Sequence, residues 1–487
     1  MPILKLWQNG RCREIPFTGT PRLASLLREY GYTAAHPCGG RGVCGKCAVR
    51  AEGDLCPPTE AEKAAGTRLS CQLTLQGDAE IWLREDAGVV ETEGNAPVLG
   101  TAMEGDFGAA LDIGTTTLAL KLYDLKTGAL LAGEGAMNPQ RSIAADVMGR
   151  IGAAMEGELP RLRDLVTGCI RDLLEKACRR AGISPDQVAS CVVTGNTTML
   201  YLLTGRDPAC LSAAPFLAEC LFDRMDTLLG IPVYYPPCMN AFVGADITCA
   251  VLDSGMHRHP ETALLCDIGT NGELALWKDG KLYVTSTAAG PAFEGAGISC
   301  GCGSIPGAID RVWLEDGNVR AHTIGEEPAV GLCGSGLLDA VAVFLETGDI
   351  DETGAVEEDI LPLAESVALL PKDIRAVQLA KGAIAAGIRT LLELAAISPE
   401  EIRTLYLAGG FGSHLRVESA AAIGLIPREL ENRVIVLGNA ALSGASRMLL
   451  NREDMLEAKA LARNTTHVNL GGNSRFNQHF MDAMMFE

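Results

Sequence analysis

Two short stretches decide the fold: "LDIGTTTLAL", Leu111–Leu120, and "CDIGTNGELAL", Cys266–Leu276. Each follows an apolar run, turns through Asp-Ile-Gly-Thr, and returns in a second alternating strand that ends at a glycine turn. The aspartates Asp112 and Asp267 stand 155 residues apart. An echo at that distance predicts two related subdomains rather than a solenoid. The chemistry suggested is phosphate binding. Glycine lets backbone approach an anion, and turn N–H and hydroxyl groups donate to its oxygens. Gly114, Thr115 and Thr116 fill those positions in the first copy, and Gly269, Thr270, Asn271 and Gly272 in the second. Asp112 and Asp267 are placed to hold Mg²⁺, which prefers oxygen ligands and keeps several waters. One such loop is also readable as a plain Gly-rich hairpin. Two copies in matching strands can clamp the β- and γ-phosphates of ATP from opposite sides.

A third element follows the same logic. "LYLAGGFGSH", Leu405–His414, is an apolar strand running into Gly409, Gly410, Phe411 and Gly412, where a base and ribose could lie against backbone. Asp246, in "FVGAD", follows an apolar stretch and could polarise a water or help hold metal; a helix N-cap is the alternative reading. Other Gly-rich runs, "TGNTT" at 194–198, "AAGPAFEGAGISCGCG" at 288–303 and "GLCGSGLLDA" at 331–340, are candidates to line the same cleft. No G-x-x-x-x-G-K-[ST] loop and no G-x-G-x-x-G occurs, so P-loop and Rossmann readings lose their main signals. Taken in order, the three motifs resemble the phosphate-1, phosphate-2 and adenosine motifs of the actin and sugar-kinase superfamily.

Near the start of the chain stands "CGGRGVCGKC", Cys38–Cys47. Its cysteines are spaced Cys38-x5-Cys44-x2-Cys47, and Cys71 follows 24 residues later. Plant-type ferredoxins hold a [2Fe-2S] cluster with a C-x4-C-x2-C run and a distant fourth cysteine. Glycines between the ligands let backbone N–H groups turn toward the sulfides. Zinc and ordinary buried thiols are the competing readings, though a four-cysteine zinc ribbon normally shows two C-x2-C pairs. The surrounding pattern predicts a β-grasp unit. "ILKLWQNGRCREIPF" reads as a hairpin around Asn9-Gly10, with a helix capped by Thr20 and Pro21 after it. A strand "AVRAEG", a short helix "TEAEKAAGT", and two strands with a turn in "QLTLQGDAEIWL" complete it.

The totals bound the rest. The chain has 487 residues, enough for two or three domains, and 47% hydrophobic content is ordinary for globular proteins. The net charge of −20 excludes nucleic acid and anionic membrane as partners, since both need basic surface. Seventeen cysteines in a long chain without a leader-like start point to reduced thiols in the cytoplasm. The expected organisation is a ferredoxin-like α+β unit over 1–86, a flexible linker over 87–106 that lets the cluster swing, and an α/β ATPase. The ATPase divides into subdomain I over 107–260 and subdomain II over 261–487.

A ferredoxin-like unit joined to an actin-like ATPase resembles the reductive activators of corrinoid proteins, the RACo-type family. The resemblance spans nearly the whole chain and rests on Cys38, Cys44, Cys47 and Cys71, "DIGTTT", "CDIGTNGE", "GPAFEGAGISCG" and "LAGGFG". Two departures stand out: larger members carry an extra segment where this chain has only 87–106, and Cys302 stands where methionine is expected. The resemblance implies an ATP-hydrolysing enzyme with a [2Fe-2S] cluster, ATP and Mg²⁺. It would pass an electron to the inactive Co(II) corrinoid of a methyl-transferring protein and restore Co(I). A corrinoid protein as acceptor, a low-potential donor protein and a homodimer are implied with it. Plant-type clusters lie near about −400 mV, and each ~59 mV of one-electron mismatch costs a factor of ten. ATP-driven closure on the partner would offset an uphill transfer. A different low-potential acceptor, a redox sensor with a degenerate ATPase, and a small-molecule kinase remain as alternatives.

Overall fold

The computed structural model describes residues 1–8, 11–30, 32, 47–65, 67–83, 90, 92–412 and 415–486. The chain divides into two compact units, Met1–Gly88 with Pro139–Arg150, and Val89–Asn138 with Ile151–Glu487.

In the N-terminal unit, β1 (Ile3–Gln8) and β2 (Arg11–Pro16) pair from Ile3↔Pro16 to Gln8↔Arg11, the register that a two-residue Asn-Gly loop demands. Helix α1 spans Leu23–Glu29. It starts later than the Thr20-Pro21 signal because Arg22 bridges to Thr74 and Leu23 N–H donates to Leu73 O at 2.9 Å. Then come β3 (Ala48–Leu55), α2 (Glu60–Ala65), β4 (Arg68–Leu69) and β5 (Leu75–Leu83). Among the described residues the sheet order is β2-β1-β5-β3-β4, with β1 and β5 parallel, which is the expected β-grasp arrangement. The two strands expected in Gln72–Leu83 are one: β5 runs through Gly77, and a register shift between Gly53 and Leu55 of β3 absorbs the irregularity. Leu4, Leu6, Ile15, Leu23, Leu27 and Ile81 form the core beneath α1.

One buried carboxylate organises the segment that carries Cys71. Glu62, 1% exposed, accepts from Thr59 N–H at 2.8 Å, Leu69 N–H at 2.9 Å and Arg68 Nε at 3.1 Å. Burial alone would raise its pKa, yet the backbone donors and Arg68 together hold it below the ordinary value. Its stabilisation is therefore present at neutral pH and is lost as pH falls through that lowered value. Glu62→Ala removes the acceptor of Thr59 N–H, Leu69 N–H and Arg68 Nε, while Arg68 keeps its bond to Cys56 O. It should cost about 2–4 kcal/mol, read as a lower urea midpoint and faster loss of any bound cluster.

In the second unit, β6 (Phe107–Ile113), β7 (Thr117–Asp124) and β8 (Leu130–Met137) form a meander, and α3 (Leu159–Ala181) follows, closed by Gly182. Next are β9 (Val188–Gly195), β10 (Arg224–Leu228), β11 (Ile231–Tyr235) and α4 (Ala245–Ser254). The pattern repeats with β12 (Ala263–Ile268), β13 (Gly272–Lys278), β14 (Lys281–Thr287) and α5 (Pro371–Leu394). It ends with β15 (Thr404–Ala408), β16 (Val434–Gly438), α6 (Ala440–Leu450) and β17 (Thr465–His467). Beside two smaller sheets among the described residues, these twelve strands form two matching six-stranded sheets, β10-β11-β9-β6-β7-β8 and β16-β15-β12-β13-β14-β17. In each, the aspartate strand lies between a parallel partner and its own hairpin return, so the sequence echo is a structural duplication.

The two halves are not independent in packing, although each keeps its own sheet. Helix α4 of the first half puts Ile247, Ala250 and Val251 into one core with Leu265, Ala275 and Val284 of the second sheet. Reciprocally, Leu442, Ala445 and Leu449 of α6 share a core with Ala110, Ala119 and Val192 of the first. Nor is the described part of 87–106 a free tether. It is irregular, but Glu93 O accepts from Asn439 N–H at 2.9 Å, and Gly100 and Met103 N–H donate to Leu450 and Leu449 O at 3.0 and 2.9 Å. Met103 is buried in the α6 core, and Asn95 Nδ2 donates to Asp253 Oδ2 at 3.0 Å. Apolar burial and main-chain bonds hold this strap where composition alone suggested slack.

Candidate functional site

The two Asp-Ile-Gly-Thr turns lie at the ends of β6 and β12, the carboxyl ends at which open α/β sheets place ligands. Each is closed by its own backbone, Gly114 N–H to Thr117 O and Gly269 N–H to Asn271 O, both 2.9 Å. Asn138 Nδ2 donates to Gly114 O at 2.8 Å, and Asn196 Nδ2 to Thr115 Oγ1 at 3.2 Å. Asn196 also caps the helix Thr197–Thr204 by accepting from Met199 N–H.

A carboxylate group assembles beneath the turns. Burial is the largest cause pushing Asp112 up to about 7, followed by relief from an Asn439 hydrogen bond and repulsion by Asp267. Asp246 rises to about 8 through burial, Asp267 and Asp112. Asp267 rises to about 6 through burial. Glu273 is raised well above its ordinary value by burial, Asp246 and Asp267. The three predicted aspartates are therefore brought together across both halves, and Glu273 joins them. The reason is register: Asp267 pairs directly with Glu273 across the β12–β13 ladder, whereas Asp112 pairs with Ala119. Asp246 lies in the first turn of α4, whose N-cap is Gly244, so the N-cap alternative fails. Asn439 caps α6 and reaches Asp112 Oδ2 at 3.1 Å. Among the described residues no three His, Cys, Asp or Glu side chains stand close enough to hold one ion among them, so these carboxylates suit a Mg²⁺ bound largely through its own waters, as that hard cation prefers.

The third turn, Gly409–Gly412, follows β15 directly. A Cβ on Gly409 would lie 2.5 Å from Asp267 Oδ1, so glycine here lets the turn close over the second aspartate. Gly410 and Gly412 belong to the same turn, and Phe411 stacks on Phe293, centroids 5.0 Å apart at 4°. Gly272 has a packing reason to be glycine, since its Cβ would meet Ile384 at 2.7 Å. Thr116 Oγ1 and Thr270 Oγ1 both donate to Glu294, at 2.8 and 2.7 Å. Asn439, Glu273, Glu294 and Asn196 were not singled out by motif reading. Asn196 and Glu294 lie in two of the flagged Gly-rich runs and Glu273 closes the quoted "CDIGTNGE", though no role was drawn for it there, while nothing local marks Asn439.

In the N-terminal unit, Cys47 and Cys71 are 2% and 4% exposed, with Sγ atoms 3.2 Å apart, against Ala48 and Leu69. That separation is too long for a disulfide bond. Two thiolates on one tetrahedral metal at ~2.3 Å stand about 3.7 Å apart, so the pair fits a shared metal after a small opening. Burial, the largest cause, pushes the Cys47 thiol up to about 12. Cys38 and Cys44 lie outside the described residues. Among the described residues no cysteine is in a disulfide bond. Cys12 is exposed, and Cys56 accepts from Thr74 N–H. No described helix is long and apolar enough to cross a membrane.

Two family models match this chain: the RACo middle region over residues 107–259, and the C-terminal domain of RACo, the ASKHA domain, over 261–487. Corrinoid activation enzyme RamQ of Eubacterium limosum is 34% identical over 418 residues, covering 78% of this chain and 70% of that protein. The chain belongs to the RACo family. The similarity extends to the [Co(II) methylated amine-specific corrinoid protein] reductase of Methanosarcina barkeri, 26% identical over 78% of this chain and 77% of that one. The solved structure of a reductive activator for corrinoid, iron-sulfur protein covers all of this chain and 98% of its own, with a TM-score of 0.71 and 28% identity. RACo membership agrees with the two-sheet ATPase fold read from the echo.

Proposed function

We propose that this chain is an ATP-dependent reductive activator that passes one electron to the inactive Co(II) corrinoid of a methyl-transferring corrinoid protein and restores Co(I). The observation that carries this reading is that one chain holds both parts: the buried Cys47–Cys71 thiol pair in a β-grasp unit, and two phosphate-type turns whose aspartates Asp112 and Asp267 are both close enough to Asp246 to repel it, Asp267 repelling Glu273 as well. Family membership supports it, because the relatives named above are activators or reductases of corrinoid proteins.

Cys38, Cys44, Cys47 and Cys71 are the ligands proposed for a [2Fe-2S] cluster, which when bound supplies a one-electron carrier of low potential. The apolar wall of Ala48 and Leu69 keeps water from the Cys47 and Cys71 sulfurs. Gly114, Thr115, Thr116, Gly269, Thr270 and Asn271 are proposed for the ATP phosphates, Gly409, Gly410, Phe411 and Gly412 for the nucleoside. The carboxylates would hold Mg²⁺, directly or through water, and orient the attacking water by accepting its protons. The ATPase role is positional: α4 and α6 each join both sheets, so a ligand gripping both turns draws the halves together. A low-potential donor protein, a homodimeric state and a cytoplasmic setting complete the proposal.

The test mixes reductant, Mg-ATP and a Co(II) corrinoid protein and follows the Co(I) absorption band. Omitting ATP should slow Co(I) formation at least tenfold, and Cys71→Ser should abolish it. Equal rates without ATP, or an unimpaired Cys71→Ser protein, would sink the reading.

A further inference from the structure

Glu294 occupies a position that the nucleotide reading leaves without a role. It ends a four-residue turn, Pro291–Glu294, set between Gly290 at φ +80° and Gly295 at φ +72°. Its two carboxylate oxygens are divided between the duplicated loops. Oε2 accepts from Thr116 Oγ1 of the first at 2.8 Å, and Oε1 from Thr270 Oγ1 of the second at 2.7 Å. The neighbouring Phe293, 2% exposed, stacks on Phe411 of the third turn. One short turn therefore touches all three segments assigned to the nucleotide.

A threonine hydroxyl has one hydrogen to donate. While Thr116 and Thr270 donate to Glu294, neither can donate to a phosphate oxygen. A triphosphate between the loops would also bring negative charge against the same carboxylate, in a site already crowded with Asp112, Asp246 and Asp267. Carboxylate and phosphates are competitors for two fixed donors. Left-handed glycines on both sides give the turn a place to pivot.

Resting on the ATP reading above, we propose that Glu294 is a latch. Without nucleotide it ties the two loops together through Thr116 and Thr270. The polyphosphate of ATP takes over both hydroxyls, expels the carboxylate, and moves the turn that carries Phe293. Glu294 is thus a positioning residue through which occupancy of the cleft is relayed to the segment 288–303, whose Ser299 is bonded to Asp373 of α5.

The test uses the full chain with Mg-ATP and Mg-AMP-PNP, reading affinity by calorimetry and hydrogen exchange across 288–303. Glu294→Ala removes the competitor and should bind Mg-ATP about tenfold more tightly, with Glu294→Gln in between because it keeps acceptor capacity without charge. In the wild-type protein AMP-PNP should speed exchange in 288–303. In Glu294→Ala that exchange should already be fast, with no further response. A merely structural glutamate would not give tighter binding on removal. Unchanged or weaker affinity in both variants would overturn the latch while leaving the ATP reading standing. Failure of the wild-type protein to bind Mg-ATP would instead overturn that reading, and the latch with it.

Discussion

Asp267→Asn should lower ATP turnover by about 10²–10⁴-fold and at the same time make the nucleotide-free protein more stable. Asp267 is a cause of the raised pKa in Asp112, Asp246 and Glu273, so it is the charge that the others feel together. Their folded-state pKa values lie above the ordinary 3.8 of aspartate, at about 7 for Asp112, 8 for Asp246 and 6 for Asp267. The native state then binds more protons than the unfolded chain. The stability contributed by the neutral carboxyls is complete at low pH and is lost as pH rises through that window. Replacing Asp267 removes part of this penalty, by about 1–2 kcal/mol at pH 8 and much less at pH 5. Denaturant titration of the metal-free proteins at both pH values measures it. Added Mg²⁺ at pH 8 should stabilise the wild type more than the variant, because a ligand of the native state stabilises by its own binding free energy. An equal gain at both pH values would mean that these carboxylates do not share one field.

Gly444→Val should be severely damaging, at about 3 kcal/mol or more of stability. Gly444 sits in α6 where the helix crosses α4, and a Cβ there would lie 2.1 Å from Cys249 O and 2.6 Å from Cys249 Cα. Those are backbone atoms, which cannot rotate aside as a side chain would. The helices must separate, and each carries residues of the core on both sheets. The penalty should therefore reach beyond the local contact, lowering the thermal midpoint and weakening Mg-ATP binding together. Gly444→Ala should show the same effects, smaller in size. A folded Gly444→Val protein with normal ATP affinity would show that the crossing does not govern the cleft.

Legibility in the sequence followed the range of the signal. The β1–β2 hairpin was readable because Asn-Gly between two alternating runs is a strong hairpin signal, and the observed register agrees with it. Helix α3 carries its own brackets, Pro160 in its first turn and Gly182 at its end. The anchoring of the described residues of 87–106 was not legible, since a Gly- and acid-rich stretch looks alike whether it floats or is pinned by Leu449 and Leu450, which lie far along the chain. Glu273 went unremarked because its partnership with Asp267 is a property of strand register, and Asn439 because it reaches Asp112 across 327 residues.

By itself the sequence determined the duplication, the residues at both turns, the cysteine spacing and the union of a redox unit with an ATPase in one chain. Those are local patterns, written by φ/ψ demands and by hydrophobic period, and they survive without knowing what packs on what. The tertiary structure alone decided that α4 and α6 each join both sheets, that four carboxylates share one field, and that Glu294 holds the two turns by opposite oxygens. Each of these depends on contacts between residues far apart in sequence, whose geometry exists only once the cores have packed.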